Sequence, residues 1–294
     1  GEAVVGNLDQ DGDGLSDAEE GELGTDLQNP DSDGDGYSNP DAGAPAHPTG
    51  SADAFPNEPT QWENTDGDAY GDNPAGITPD DCITDSGTST IDRTGCPDDD
   101  SDGYSNPAGG WTTAQGADSC ISTDGNSTID RFGCPDDDGD GWSNPDMGAP
   151  AHPVGTSDAF PSEDTQWQDS DGDGYGDNWG DPLWNDSRGV DWPGIFIIGA
   201  NNPDEFPIDP TQWKDSDGDG CGDNKVLPNG DWWPNDPTQC LDGDNDGFGD
   251  NPDGTNGDQC PTDAGDADED GIRGCPDSDG DGYVDSVDIF PEDS

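Results

Sequence analysis

The stretch Asp169-Ser-Asp-Gly-Asp-Gly-Tyr-Gly-Asp177 carries aspartate at positions 1, 3, 5 and 9 and glycine at position 6. Alternate carboxylates on a tightly curled backbone converge on one hard cation, so this spacing predicts an oxygen cage for calcium. Gly174 supplies the dihedrals the curl needs. The carbonyl of Tyr175, at position 7, is the next expected ligand. Nine loops of this kind occur, starting at Asp9, Asp31, Asn64, Asp98, Asp136, Asp169, Asp215, Asp242 and Asp277.

Residues 9–20 form a complete twelve-residue loop, with ligands expected from Asp9, Asp11, Asp13, Asp17 and Glu20 and from the carbonyl of Leu15. The last loop is equally compact: Asp277, Asp279, Asp281, Asp285 and Asp288, with the Tyr283 carbonyl. Asp288 opens the phrase Asp-Ile-Phe-Pro, and that phrase recurs after insertions as Asp53-Ala-Phe-Pro, Asp158-Ala-Phe-Pro, Asp204-Glu-Phe-Pro and Asp231-Trp-Trp-Pro. With Cys replacing Phe it reads Asp80-Asp-Cys82, Asp118-Ser-Cys120 and Asp258-Gln-Cys260. Each of these aspartates is expected to be a displaced position-12 ligand. Asp72 to Asp80, Asp223 to Asp231 and Asp250 to Asp258 each span 8 residues, and Asn39 to Asp53 and Asn144 to Asp158 each span 14. The insertions then bulge outward as surface loops while the cage closes.

The remaining cages follow. The second takes Asp31, Asp33, Asp35, Tyr37, Asn39 and Asp53; the third Asn64, Asp66, Asp68, Tyr70, Asp72 and Asp80. The fourth takes Asp98, Asp100, Asp102, Tyr104, Asn106 and Asp118; the fifth Asp136, Asp138, Asp140, Trp142, Asn144 and Asp158. The sixth takes Asp169, Asp171, Asp173, Tyr175, Asp177 and Asp204; the seventh Asp215, Asp217, Asp219, Cys221, Asp223 and Asp231. The eighth takes Asp242, Asp244, Asp246, Phe248, Asp250 and Asp258. Position 7 contributes its carbonyl throughout. A further acid follows three residues past most of the Phe or Cys positions: Glu58, Glu163, Asp209, Asp236, Asp293, Asp85 and Asp263. It is either part of a second calcium site or the cap of a turn in the Pro-x-x-x-Thr-Gln segment.

Trp62, Trp167 and Trp213 follow in the phrase Thr-Gln-Trp, and the fourth copy has Cys240 instead. Cys221, its nearest partner, occupies position 7, where the loops preceding the three Trp copies have Tyr37, Trp142 and Tyr175. The substitution is paired, so a Cys221–Cys240 bridge is expected to replace an aromatic stack. The other cysteines fall into local couples, Cys82–Cys96, Cys120–Cys134 and Cys260–Cys275. An even count of eight at repeated spacing reads as disulfides and an oxidising, extracellular setting. Arg93, Arg131 and Arg273, just before the second cysteine of these couples, are expected to screen neighbouring carboxylates.

Composition fixes what must hold such a chain together. Its 294 residues carry 72 acids against 6 bases, a net charge of −66, and only 25% are hydrophobic. Without metal this composition predicts disorder. Bound cations cancel repulsion and tie residues together, so binding energy becomes folding energy. Such acidity disfavours nucleic acid and anionic membranes as partners, and the longest apolar run, 195–198, spans no bilayer. With no signal peptide at Gly1, the chain reads as a mature product or as part of a larger precursor.

Residues 31–62 and 136–167 align without gaps at an offset of 105 and share Gly-Ala-Pro-Ala-His-Pro, which holds His47 and His152, the only histidines. These are expected to be exposed and inert. The insertion at 178–203 holds Trp179, Trp184, Trp192 and the run Ile195-Phe-Ile-Ile198; a local strand or hairpin covering the long loop is favoured there over a contact surface. Asn126-Ser-Thr and Asn185-Asp-Ser are glycosylation sequons in loops, which makes glycans expected partners.

The loops and linkers resemble thrombospondin type 3 repeats from Asp9 to Pro291. The phrases Asp-Ser-Asp-Gly-Asp-Gly-Tyr-Gly-Asp-Asn and Asp-Ala-Phe-Pro-x-Glu/Asp-Pro-Thr-Gln-Trp are similar to those of secreted microbial and archaeal surface proteins. The resemblance implies a chain wrapped around a row of Ca²⁺ ions, one or two per unit, with almost no helix or sheet. The sequence departs from it at Asn64, at Ala69 in place of the position-6 glycine, and at Asn39, Asn106 and Asn144 at position 9. Weaker sites are expected there, and Ala69 must turn left-handed or distort its loop.

The fold expected is therefore irregular, an elongated array of nine loops over residues 1–294 stapled by local disulfides. The function expected is that of a calcium-stabilised extracellular structural protein: a stalk, matrix strand or surface-filament subunit. The short lead-in Gly1–Leu8 and the end at Asp288-Ile-Phe-Pro-Glu-Asp-Ser294, inside a phrase that elsewhere continues, suggest head-to-tail self-association; cutting from a longer array would leave the same ends. The alternative is a calcium-rigidified spacer of a larger secreted adhesin or exoenzyme. No Ser-His-Asp set or zinc signature supports an enzyme, and no flanking amphipathic helices support a calcium sensor.

Overall fold

The computed structural model describes residues 8–41, 43–186, 188, 191–227, 230–268 and 272–293. The lead-in at 1–7, Ser294, and Ser187 of the Asn185 sequon lie outside the described residues. The chain divides into two compact units, Gly1–Ser143 and Asn144–Ser294.

Regular structure is sparse, because most short polar side chains are spent on the local backbone instead of leaving it to a helix or sheet. One α-helix is present among the described residues, α1 (Asp17–Leu23). Ser16 and Glu19 form a reciprocal capping box at its start, and Gly24, at φ 76°, ends it in the left-handed conformation. Short 3₁₀ turns occupy Thr113–Gln115 and Pro182–Asp186. The only pairings of extended backbone among the described residues are isolated bridges. Four of these, Gly71↔Pro79, Gly176↔Pro203, Gly222↔Gly230 and Gly249↔Gly257, share one function: position 8 of a loop grips the residue before the displaced aspartate. Each bridge closes the neck of an insertion.

The interior is polar. The largest fully buried side chains include Gln61, Gln166, Gln212, Gln239, Glu20, Asp53, Asp118, Asp177 and Asp204. The four glutamines belong to the Thr-Gln phrase, and each exchanges bonds with the position-10 asparagine of the next loop. Gln166 Nε2 donates to the Asn178 carbonyl at 2.9 Å, Asn178 N donates to Gln166 Oε1 at 3.0 Å, and Asn178 Nδ2 donates to the Thr165 carbonyl at 2.9 Å. Gln61 with Asn73, Gln212 with Asn224 and Gln239 with Asn251 repeat this arrangement. The glutamine lies flat against position 8, where a Cβ on Gly176 would sit 2.0 Å from Gln166 Oε1. That close approach explains why these loops read Gly-Asp-Asn at positions 8–10, whereas those following Cys-Pro at 96–97 and 134–135 read Ser-Asn-Pro.

The aromatic and sulfur contacts follow the paired substitution. Tyr37 stacks on Trp62 at 5.3 Å between ring centres and Tyr175 on Trp213 at 5.2 Å. Cys221 and Cys240 form a disulfide at the equivalent place, and Cys82–Cys96, Cys120–Cys134 and Cys260–Cys275 are also bonded. No cysteine is free. In two of the Cys-type units the chain is organised around a buried serine: Ser89 Oγ donates to the Cys96 carbonyl and accepts from Cys96 N, and Ser127 Oγ accepts from Cys134 N. Arg131 lies beside a carboxylate, as expected, and the arginines also bond oxygens of the main chain and of a hydroxyl. Arg93 and Arg273 donate to the main-chain carbonyls of Asp81 and Asp268, and Arg131 Nε donates to Ser143 Oγ while lying 3.8 Å from Asp130.

Candidate metal centres

Within each loop the carboxylates first build the turn that gathers them. Asp169 accepts from Gly172 N through Oδ1 (2.6 Å) and from Gly174 N through Oδ2 (3.0 Å). Asp171 Oδ1 accepts from Asp173 N and Asp173 Oδ1 from Tyr175 N. Gly172 and Gly174 sit at φ 83° and 95°, which turns consecutive N–H groups inward. Position 4 takes the same conformation in Ser101 and Asn245, at φ 69° and 65°. The displaced aspartate copies the pattern, with Asp204 Oδ1 accepting from Phe206 N at 2.7 Å.

In many loops these turns use one oxygen of the aspartate at position 3, 5 or 12 and leave the other inside, whereas Asp68 and Asp246 spend the second oxygen on Gly87 N and Gly265 N. Buried oxygens with no hydrogen-bond partner occur on Asp11, Asp66, Asp100, Asp244 and Asp279 at position 3, and on Asp35, Asp140 and Asp173 at position 5. Asp80, Asp118, Asp204, Asp231, Asp258 and Asp288 show the same at the closing position, and both carboxylate oxygens of Glu20 are so placed. The carboxylate oxygens of Asp66, Asp68 and Asp80 lie within 4.8 Å of one another, which joins a displaced aspartate to its loop. The sets Asp9, Asp11, Asp13; Asp31, Asp33, Asp35; and Asp98, Asp100, Asp102 converge as closely.

Crowding shows in the acidities. Burial, then the charges of Asp173, Asp171 and Asp177, push Asp204 up to about 8. Burial, then the carboxylates of their own loops, push Asp53, Asp80, Asp118 and Asp231 up to about 6. Glu20 is raised by burial and by Asp11, Asp13, Asp17 and Asp9. The neighbours named for each closing carboxylate are those of its own expected cage. An ionised carboxylate held away from water and from any donor is costly unless a cation meets it. The donors are all hard oxygens, so the residues fit a divalent cation of the calcium type.

At position 9 the side chain also holds position 2 in several loops. Asp177 accepts from Ser170 N and Oγ, and Asp72, Asp223 and Asp285 bind Thr65, Ser216 and Ser278 in the same way. Asp250 accepts from Gly243 N. Asn39 accepts from Ser32 N, and its amide donates to Asp13 Oδ2 of the preceding loop at 3.2 Å. In the first loop Asp17 opens α1, and its buried Oδ1 has no partner. At Cys221 only the carbonyl can ligate, since the sulfur is bonded to Cys240.

The third loop resolves its two departures together. Ala69 does not take positive φ. Asn64 Nδ2 instead donates to the Asp68 carbonyl at 2.9 Å, a bond no carboxylate could make. The loop is distorted, yet Asp66, Asp68 and Asp80 still converge. In the fifth loop Asp136, Asp138, Asp140 and Trp142 belong to the first compact unit, and Asn144 and Asp158 to the second.

Four of the acids that follow the Phe or Trp of this phrase cap a turn. Glu58 Oε1 accepts from Thr60 N and Oγ1, Asp209 and Asp236 hold Thr211 and Thr238 alike, and Glu163 accepts from Thr165 Oγ1 and Asn201 Nδ2. His47 and His152 are half-buried, not exposed as expected, and His152 Nδ1 lies 3.3 Å from the Asp169 carbonyl. Asn126 is exposed. Sequence reasoning missed the Thr-Gln glutamines, although Gly-Asp-Asn recurring after every Thr-Gln could have revealed them. It also missed Arg188, which lies among the tryptophans of the 178–203 insertion.

No protein-family model matches the chain, and no curated protein matches it. No helix among the described residues is long and apolar enough to cross a membrane.

Proposed function

We propose that this is a calcium-stabilised extracellular structural protein built as a tandem array of thrombospondin type 3-like loops. Its role is mechanical, not catalytic. The supporting observation is the recurrence of buried carboxylate oxygens without hydrogen-bond partners at positions 3, 5 and 12. Asp171, Asp173 and Asp204 would hold an ion in the sixth loop, with Asp169 and the Tyr175 carbonyl completing the set; the other loops follow the same scheme. Calcium supplies the positive charge that lets these carboxylates remain ionised inside the fold. Main-chain N–H groups orient the ligands, position 9 secures the loop behind them, and the Thr-Gln glutamine locks one loop against the next.

Four disulfides fit an oxidising compartment. Numerous separate sites of this kind suit the millimolar calcium outside cells. In this reading the chain serves as a stalk, matrix strand or filament subunit that associates with copies of itself.

Equilibrium dialysis against calcium, with circular dichroism in parallel, tests the reading. About one ion per loop and ordered spectra only in calcium are expected. A chain that binds no calcium at millimolar concentration, or that keeps its spectrum without it, would overturn the proposal.

A further inference from the structure

The neck of the sixth loop carries the longest insertion in the chain: 27 positions separate Asp177 from Asp204, against 8 in the third, seventh and eighth loops. Closing a longer loop costs more chain entropy, and this neck carries an arginine tie. Arg188 is buried, at 9% exposure. Its guanidinium lies 5.0, 4.7 and 5.5 Å from the ring centres of Trp179, Trp184 and Trp192. Nη2 donates to the Asp204 carbonyl at 2.5 Å and Nη1 to the Asp177 carbonyl at 3.4 Å. The cation thus takes main-chain oxygens, while Asp204 Oδ2 keeps no hydrogen-bond partner.

Glu205 follows Asp204 directly, and its Oε2 accepts from the N–H of Asp215, the first residue of the seventh loop, at 2.8 Å. Arg188, Glu205 and Asp215 line one open cleft. We propose that Arg188 is a positioning residue for two consecutive cation cages. It fixes the main chain of Asp204, the closing residue of the sixth loop, and through Glu205 the main chain of Asp215, the first residue of the seventh, so that cation binding at these two loops is coupled. The inference rests on the cation-binding reading of the loops. A planar, permanently charged group with several donors can hold two carbonyls and stack on rings at once.

The test uses the full chain and calcium alone as the probe, with bound ions counted by calorimetry and the tryptophans followed by fluorescence. Arg188→Met is expected to weaken two ions by about 10- to 100-fold, the range typical of lost outer-shell support, and to leave the rest unchanged. Arg188→Lys keeps the charge but not the two-carbonyl fork, and should lose at least about tenfold at the sixth loop. Glu205→Ala leaves the tryptophan cluster untouched and should weaken the seventh loop while making the two sites titrate independently. Wild-type affinities in Arg188→Met with red-shifted emission would mean that Arg188 only packs the tryptophans, and would overturn the inference. Weakening of one ion alone, or Glu205→Ala titrating like wild type, would overturn the coupling. A wild-type chain that binds no calcium would overturn the calcium reading and this inference together, whereas an indifferent Arg188→Met in a calcium-binding chain overturns only the latter.

Discussion

At the scale of single residues, many carboxylates divide their two oxygens. One oxygen shapes the turn through a main-chain N–H and the other faces the interior without a hydrogen-bond partner. This division makes acidity a readout. Asp53, Asp80, Asp118, Asp140, Asp173 and Asp231 are raised to about 6 and Asp204 to about 8, first by burial and then by neighbouring carboxylates. A carboxyl whose folded pKa exceeds its unfolded value binds more protons when folded, so in calcium-free protein its stabilisation is full below about pH 4 and is lost as pH rises through 6 to 8. With calcium the sign reverses, because the ligands must be ionised. Dialysed, calcium-free protein should therefore gain order as pH falls from 7 towards 4, while the calcium-loaded protein loses it; circular dichroism at both extremes checks this, and parallel acid profiles would contradict it. A second prediction concerns position 8. Gly176→Ala forces a Cβ to 2.0 Å from Gln166 Oε1 and should cost about 1–3 kcal/mol of stability in calcium, as overpacked sites do. Gly172→Ala tests the other glycine role, since its Cβ has open room beyond Pro153 but its φ is 83°; there the cost is of left-handed strain, about 1–2 kcal/mol. Thermal midpoints separate the two.

At the scale of the repeat, one contact is made by either of two chemistries. Tyr37–Trp62 and Tyr175–Trp213 stack where Cys221 and Cys240 bond. Cys240→Trp alone removes about 3 kcal/mol of constraint on the unfolded chain and leaves a free thiol. Adding Cys221→Tyr should restore about 0.5–1.5 kcal/mol through the stack. The expected order of thermal stability is wild type, then the double variant, then either single variant. A double variant no more stable than the singles would show that the two contacts are not equivalent. The third loop shows how a unit tolerates a change at two positions: Asn64 and Ala69 alter its turn together, and the amide bond to the Asp68 carbonyl replaces the left-handed residue.

For the whole molecule, the interior is a set of carboxylates and amides with little apolar packing to fall back on. A core of this kind has no substitute for its counter-ions, so chelation is expected to abolish order throughout and open the chain to proteolysis. Protection that persists in chelator would contradict it. Electron microscopy of the native material, in calcium and then in chelator, addresses assembly. Filaments that lose their form on chelation support self-association, whereas separate short particles in calcium would favour the spacer role in a larger secreted protein.

The sequence by itself determined the loops. The turn of such a loop is built within about nine residues by bonds from an aspartate to N–H groups two to five positions on, and interactions that local are fixed by residue type and spacing. It also determined that the displaced Asp80 returns to its loop and that Cys221 pairs with Cys240, because a repeated phrase and a paired substitution each carry a spatial contact into the text. Tertiary structure alone decided the rest. Position 9 reads only as a ligand in the sequence, whereas in the fold its carboxylate also accepts from the N–H of position 2. The glutamines bond partners 12 residues and more away, and Arg188 meets carbonyls 11 and 16 residues away inside a ring of tryptophans. Those distances are set by how an insertion returns to its neck, and no spacing along the chain encodes the path of that return.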